Sequence, residues 1–265
     1  MGIINVTPDS FSDGGETLSV ELALKKAKEL LQDGADILDV GGESTRPYSQ
    51  PISEEEEIKR VIPVIKALRE SFPEALISVD TYKAKVAELA LMNGANMVND
   101  ISGAQFDSRL VDVVRDFNCP YVLMHIKGTP QTMQINPYYQ NVIEEIKSYF
   151  ERKIEELTSR GVPSENIIID PGIGFGKNFQ HNITILKNLE RFKDLKRPIL
   201  IGPSRKAFIG EVVGKPPKER DAGTVGVVLY ACLKGVNFLR VHNISLIKDA
   251  LKTFKFLLGN QNLES

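Results

Sequence analysis

Eight short apolar runs punctuate this chain, and each ends on its C-terminal side in polar, chemically able residues. The runs are Ile3–Val6, Ile37–Val40, Leu76–Asp80, Met97–Asn99, Tyr121–His125, Ile167–Asp170, Ile199–Ile201 and Phe238–Val241. They are rich in Ile, Val and Leu without strict polar alternation, the pattern of parallel strands covered on both faces. Segments of helical period lie between them: Leu22–Gln32, Ile58–Ser71, Ala84–Met92, Leu110–Phe117, Ile143–Arg160, Ile183–Phe192, Val225–Lys234 and Leu246–Leu258. Gly34, Gly94, Gly161 and Gly235 follow four of these segments, where a helix commonly ends in a left-handed residue. Eight strand–helix units in 265 residues predict an α/β fold, a single (β/α)8 TIM barrel, which typically takes about 250 residues. The rival is a doubly wound open sheet, which has fewer strands and a reversal of strand order. No Pro-, Gly- or Ser-rich linker divides the chain, so 1–265 reads as one domain.

Composition narrows the partners. Lys and Arg number 33 against 35 Asp and Glu, a net charge of −2, so no broad field draws in nucleic acid or an anionic membrane, and any anion must be held locally. Cys119 and Cys232 are too few for a disulfide framework or a zinc site and suit a reducing compartment, the cytoplasm. The longest uncharged apolar stretches, about ten residues, fall short of the ~20 that span a bilayer. Neither a basic region nor a small-residue cleavage site follows Met1, so no signal peptide is expected.

The strand ends carry Asn5-Val6-Thr7, Asp39 with Gly41–Arg46, Asp80, Asn99-Asp100, His125, Asp170, Ser204-Arg205-Lys206 and Arg240–Asn243. In a (β/α)8 barrel these ends converge on the catalytic face, so a polar funnel drawn from all eight strands is expected there. The first loop, Asn5–Gly15, is either a capped turn before a helix or a lid. The carboxamide of Asn5 suits a hard cation such as Mg²⁺. In the second loop, Gly41–Pro47, glycines let backbone N–H groups approach an anion and Arg46 can fork onto phosphate. Arg240 and His242 share one face of the last strand, either as an anion seat or as an ion pair with a satisfied histidine. Asp80, Asn99 and Asp170 are either structural barrel polar groups or readers of a flat heterocycle, with carboxylates accepting two N–H bonds and the amide supplying a donor and an acceptor. Asp170–Lys177 is glycine-rich but fits neither a P-loop nor a dinucleotide turn. Its glycines would let Phe175 close over a planar ligand. Lys206 is a Schiff-base candidate or a charged donor. Glu54–Glu57 reads as an acidic first turn, Lys25, Lys26 and Lys28 as a solvated helix face, and His181 as a surface residue.

Asn5–Gly15, Gly41–Pro47, Asp170–Lys177, Ser204–Lys206 and Arg240–His242, with Ser78–Thr81, Asn99-Asp100 and Met124-His125, together resemble the dihydropteroate synthases of the pterin-binding family, in order and over essentially the whole chain. The resemblance implies a (β/α)8 barrel that joins 6-hydroxymethyl-7,8-dihydropterin diphosphate to 4-aminobenzoate, giving 7,8-dihydropteroate and diphosphate by a dissociative substitution. It implies that Asp80, Asn99, Asp170 and Lys206 hold the pterin, that Asn5 positions Mg²⁺, and that Asn5, Thr45, Arg46, Arg240 and His242 hold the diphosphate. Phe11, Pro47, Phe175, Ser204 and Arg205 would border the aminobenzoate pocket. Asn5, Arg46, Lys206, Arg240 and His242 would carry the catalysis. A homodimer, two mobile substrate-covering loops and sulfonamide competition are further implications.

Three features depart from that pattern. A short segment usually precedes the opening motif, whereas Met1 leads straight into the first strand, so the barrel floor is expected to lack a plug or the chain to begin within a longer one. Tyr48 stands where glycine is usual, and Asp221 of Arg220–Thr224 has no assigned role. The rival functions are a methyltetrahydrofolate–corrinoid methyltransferase, which needs no diphosphate seat, a Schiff-base aldolase on Lys206, and a catalytically silent pterin-binding paralogue.

Overall fold

The computed structural model describes residues 1–7 and 15–259; Phe11 and the rest of segment 8–14 lie outside the described residues. Strands β1 (Gly2–Asn5), β2 (Ile37–Gly41), β3 (Leu76–Asp80), β4 (Met97–Asp100), β5 (Tyr121–Met124) and β6 (Ile167–Asp170) form one parallel sheet in chain order. β7 (Leu200–Ile201) and β8 (Phe238–Leu239) form a parallel pair. Single bridges join the two sheets at both seams, Ile169 to Ile199 and Gly2 to Val241. There Ile169 N–H donates to Pro198 O at 2.9 Å and Val241 N–H to Met1 O at 3.0 Å. These bridges turn eight strands into the ring of a (β/α)8 barrel.

The helices are α1 (Gly15–Gln32), α2 (Glu54–Ser71), α3 (Ala84–Met92), α4 (Leu110–Phe117), α5 (Val142–Ser159), α6 (Phe179–Lys187), α7 (Ala207–Val213), α8 (Asp221–Leu233) and α9 (Ile244–Leu257). Local chemistry sets their ends. Ser53 caps α2 by accepting from Glu56 N–H, four glutamates occupy its positive first turn, and Val61, Val64, Ile65 and Leu68 bury its inner stripe. Gly34 and Gly94 take the expected left-handed conformation, φ 88° and 108°. Sequence periodicity does not reveal α7, because seven residues are too few to show a repeat. His181, expected at the surface, is half-buried: it completes the capping box of α6 with Asn178 and packs against Tyr139.

Strand alternation organises the barrel interior in layers. Met1, Ile37, Met97, Val122, Ile168 and Leu200, with Phe238 against them, fill its lower end. Side chains thus occupy the floor, where a gap was one of the two expectations. Two residues further along the same strands, and so on the same face, stand Asp39, Asn99, Met124, Asp170 and Arg240. Intervening residues such as Leu38, Val98, Leu123 and Ile169 pack outward in the main core under the helices.

This alternation corrects the expectation of a funnel supplied by every strand end. Asp100 faces the outer layer, where Ser102 N–H and Ala104 N–H donate to it at 2.7 and 2.6 Å and Tyr121 O–H at 2.7 Å. With its oxygens taken by the turn that follows it and by Tyr121 of β5, it is a turn anchor. His125 also leaves the barrel interior and packs edge-on against Tyr149, ring centroids 4.9 Å apart. No described helix is long and apolar enough to cross a membrane.

Candidate active site

One guanidinium links three strands above the apolar floor. Arg240 Nε donates to Asp39 Oδ2 and Arg240 NH2 to Asp80 Oδ2, both at 2.5 Å, while Asn99 Nδ2 donates to Asp39 Oδ2 at 3.2 Å. Burial is the main force on Asp80: it pushes the carboxyl up to about 7, Arg240 opposes the shift, and Asp39 adds to it. The same two carboxylates hold Arg240 in its charged form against desolvation. Asp39 is fully buried, and among the described residues its Oδ1 has no hydrogen-bond partner; neither has Ser78 Oγ, its register neighbour on β3. Buried polar atoms left unpaired are costly, so this cluster retains unmet bonding capacity directly beside Asn99.

Asp170 and Lys206 form the second half. Burial lifts the Asp170 carboxyl to about 6, against Gly172 N–H, which donates to Oδ1 at 2.7 Å, and against the fields of Lys206 and Lys177. Burial and Arg240 lower Lys206 to about 8, while Asp170 and Asp80 support its charge. Its Nζ lies 4.1 Å from the centroid of the Phe175 ring, a cation–π contact.

The loop bearing Phe175 is tied down from below. Lys177, buried, donates from Nζ to His125 Nδ1 at 3.0 Å, His125 O at 3.2 Å and Phe175 O at 2.8 Å. Burial pushes the Lys177 amine well below the usual lysine range, while these three contacts hold it in place. Gly172 is required here: its φ is +70°, and a Cβ would sit 2.0 Å from His125 O.

On the same rim, His242 N–H donates to Ser204 Oγ at 3.3 Å, and Ser204 Oγ lies 2.9 Å from His242 Nδ1. A serine hydroxyl carries one proton and two lone pairs, so this contact ties the imidazole to the Ser204 loop in either tautomer; when Nδ1 accepts from Ser204, Nε2 carries the hydrogen. Burial, with Arg205 and Arg240 nearby, lowers His242 to about 4.

The second loop is anchored at its base. Glu43 accepts from Tyr82 O–H at 2.7 Å, Lys83 Nζ at 2.6 Å and Ile52 N–H at 3.1 Å. Lys83 Nζ also meets the buried Glu57 at 2.5 Å, so one of the four first-turn glutamates serves the loop rather than solvent. Beyond this anchor Arg46 and Pro47 are exposed and Thr45 is half-buried. Tyr48 takes φ +66° and donates its N–H to Pro130 O at 2.9 Å, keeping the left-handed turn that a glycine would supply. Asn5 ends β1 beside Gly41.

Residues 1–242 match the family model described as pterin binding enzyme. The chain belongs to the pterin-binding enzyme family. It is 46% identical over 253 residues to the dihydropteroate synthase of Synechocystis sp., covering 95% of this chain and 87% of that relative. The Yersinia pestis dihydropteroate synthase, solved with a sulfonamide drug complex, superposes with a TM-score of 0.92 at 38% identity, covering 98% of this chain and 94% of that one. The Clostridium difficile dihydropteroate synthase, solved in the presence of pteroic acid, superposes with a TM-score of 0.91 at 42% identity, covering 97% and 95%.

This pterin-binding enzyme gathers Asp80, Asn99, Asp170, Lys206, Ser204, Arg240 and His242 at one end of its barrel, all expected from the sequence. Arg205 is instead turned onto Asp221 through two bonds, at 2.7 and 2.9 Å. Asp39 carried no sequence assignment, although a charge inside an apolar run two residues before Gly41 signals an inward polar group. Lys177 was legible only as the end of a glycine motif.

The lowered pKa of His242 fixes the sign of a stability effect. Below 6.5 the unfolded chain takes up a proton that the native site resists, so stability is lost as pH falls from 6.5 toward 4. His242→Gln removes that loss. Between pH 7 and pH 4, urea unfolding should show the variant gaining about 3 kcal/mol on the parent. An unchanged difference between the two proteins would refute the assignment.

Proposed function

We propose that this pterin-binding enzyme is a dihydropteroate synthase, a transferase of folate synthesis that joins 6-hydroxymethyl-7,8-dihydropterin diphosphate to 4-aminobenzoate and releases diphosphate. The observation that carries the reading is the pairing, on one barrel rim, of heterocycle-reading groups (Asp80, Asn99, Asp170) with an anion seat built on Arg240 and His242. The curated relative and the pteroic acid structure support it, since pteroic acid contains both halves of the product skeleton.

The pterin lies above the floor with its N–H edge on Asp80 and Asp170, its acceptors toward Asn99 and Lys206, and Phe175 bordering the adjoining aminobenzoate pocket with Pro47 and Ser204. The carboxylates accept ring N–H groups and favour the positive charge that the ring gains as the C–O bond to diphosphate breaks. His242 offers its Nε2–H to the departing anion, Arg240 adds fixed positive charge, and Thr45 and Arg46 reach the anion when the second loop closes. The neutral arylamine attacks the methylene and loses its proton afterwards, so no catalytic base is needed.

The donor set fits Mg²⁺ bound mainly through substrate. Asn5 offers one hard oxygen at a strand end, and no group of three His, Cys, Asp or Glu among the described residues could form a protein cage. Held by Asn5, Mg²⁺ would neutralise part of the charge on the leaving diphosphate.

The enzyme works in the cytoplasm as one domain and needs neither nucleic acid nor membrane. It pairs as a homodimer through α8 and α9, which expose the apolar side chains Tyr230, Leu233, Leu246 and Leu257. Sedimentation should give a dimer that Leu233→Glu combined with Leu257→Glu converts to monomer; a monomeric parent would refute the pairing.

The function is tested by diphosphate release. Turnover should require both Mg²⁺ and 4-aminobenzoate, and sulfonamides should compete with the latter. Asp80→Ala should lower kcat/KM for the pterin substrate by roughly 10- to 100-fold. Release that ignores 4-aminobenzoate, or an Asp80 variant with parental kinetics, would overturn the reading.

A further inference from the structure

The segment Arg220–Thr224 has no part in the chemistry described above, yet it meets the catalytic rim at several points. Beyond β7 the chain turns sharply at Arg205, which adopts φ +60°. A non-glycine residue pays for this conformation and keeps it only where its surroundings over-determine it. Here they do. Arg205 Nε and NH2 fork onto Asp221 Oδ1 and Oδ2 at 2.7 and 2.9 Å. Its N–H donates to Thr224 Oγ1 at 3.2 Å. Arg220 NH1 donates to the carbonyls of Arg205 at 3.1 Å and Lys206 at 3.3 Å, and Arg220 Nε to that of Lys215 at 2.8 Å.

The same aspartate reaches the neighbouring loop. Asp221 Oδ2 accepts from Asn243 Nδ2 at 3.1 Å, and Asn243 in turn caps α9 by accepting Leu246 N–H at 3.1 Å. Asp221 therefore joins the loop that carries Ser204 and Lys206 to the one that carries His242. Space has been cleared for this arrangement: a Cβ on Gly210 of α7 would lie 2.3 Å from Arg220 Cζ.

We propose that Arg220 and Asp221 are positioning residues that hold the Ser204–Lys206 turn and the His242 loop in register across the start of α8. The inference rests on the functional reading above, because it takes Ser204, Lys206 and His242 as the groups whose placement matters. An arginine stands at this left-handed position because its side chain supplies the tie. Glycine would make the turn more easily but leave it free to drift. A displacement of about 1 Å in such groups can cost up to about a hundredfold in rate.

Two variants test this through different contacts. Asp221→Asn weakens the charged fork, and Gly210→Ala displaces the Arg220 guanidinium while favouring helix α7 by intrinsic propensity. Each is expected to lower kcat/KM for 4-aminobenzoate about tenfold or more, with Gly210→Ala still unfolding in one cooperative thermal transition. Pteroic acid affinity, measured in parallel, should fall in both. Asp221→Glu should recover part of the loss, and Arg205→Gly combined with Asp221→Asn should be no worse than either single change. Parental kinetics and affinity in Gly210→Ala would overturn the proposal even if Asp221→Asn failed to fold, as would losses that simply add in the double variant. If the parent itself released no diphosphate, the functional reading would fall, and the affinity series would still decide the clamp.

Discussion

Arg240 shared between Asp39 and Asp80 is the interaction on which the site depends. Its two bonds of 2.5 Å cross the barrel from the last strand to the second and third, which no side chain on adjacent strands would need to do. Taking such charges out of water is expensive, and the expense is offset only by close opposite charge and hydrogen bonds. Burial, with Asp39 adding to it, outweighs the one guanidinium that the two carboxylates share, so Asp80 sits near 7 rather than far below it. Across the opening, Asp170 near 6 faces Lys206 near 8. The rim thus holds carboxyls whose pKa values burial lifts to about 7 and about 6, and a ligand that offers N–H donors favours their charged forms, so that their protons leave to solvent.

The rest of the molecule serves to hold these groups at fixed separation. The apolar floor from Met1 to Phe238 supports them from below. Lys177 secures the glycine loop through three contacts, and Glu43, Lys83 and Glu57 root the second loop. Arg46 and Pro47 at the tip of the second loop are exposed above this rigid root, an arrangement that would let the tip move while the buried groups stay in place. That division suits a reaction in which a leaving anion must be grasped and released in every turnover.

Much of this was legible in the residue pattern, for identifiable reasons. Continuous Val and Ile runs reveal buried parallel strands, and polar residues at their C-terminal ends reveal the active rim, because the barrel brings those ends together whatever their distance along the chain. Direction was harder to read. Asp100 and His125 end strands just as Asn99 and Met124 do, but a one-residue step turns a side chain to the opposite face, and only the floor layer settles the parity. Partnership was hardest. Nothing local distinguishes Arg205 facing a substrate from Arg205 forked onto Asp221, because that choice depends on where the start of α8 falls against the β7 loop.

The poised protons give the most direct test. Pteroic acid should be titrated calorimetrically into the protein at pH 6.5 in buffers of different ionisation enthalpy. The account predicts net proton release, because ring N–H groups draw Asp80 and Asp170 into their charged forms, and a smaller release in Asp170→Asn. Binding with no proton exchange, or with uptake, would contradict it.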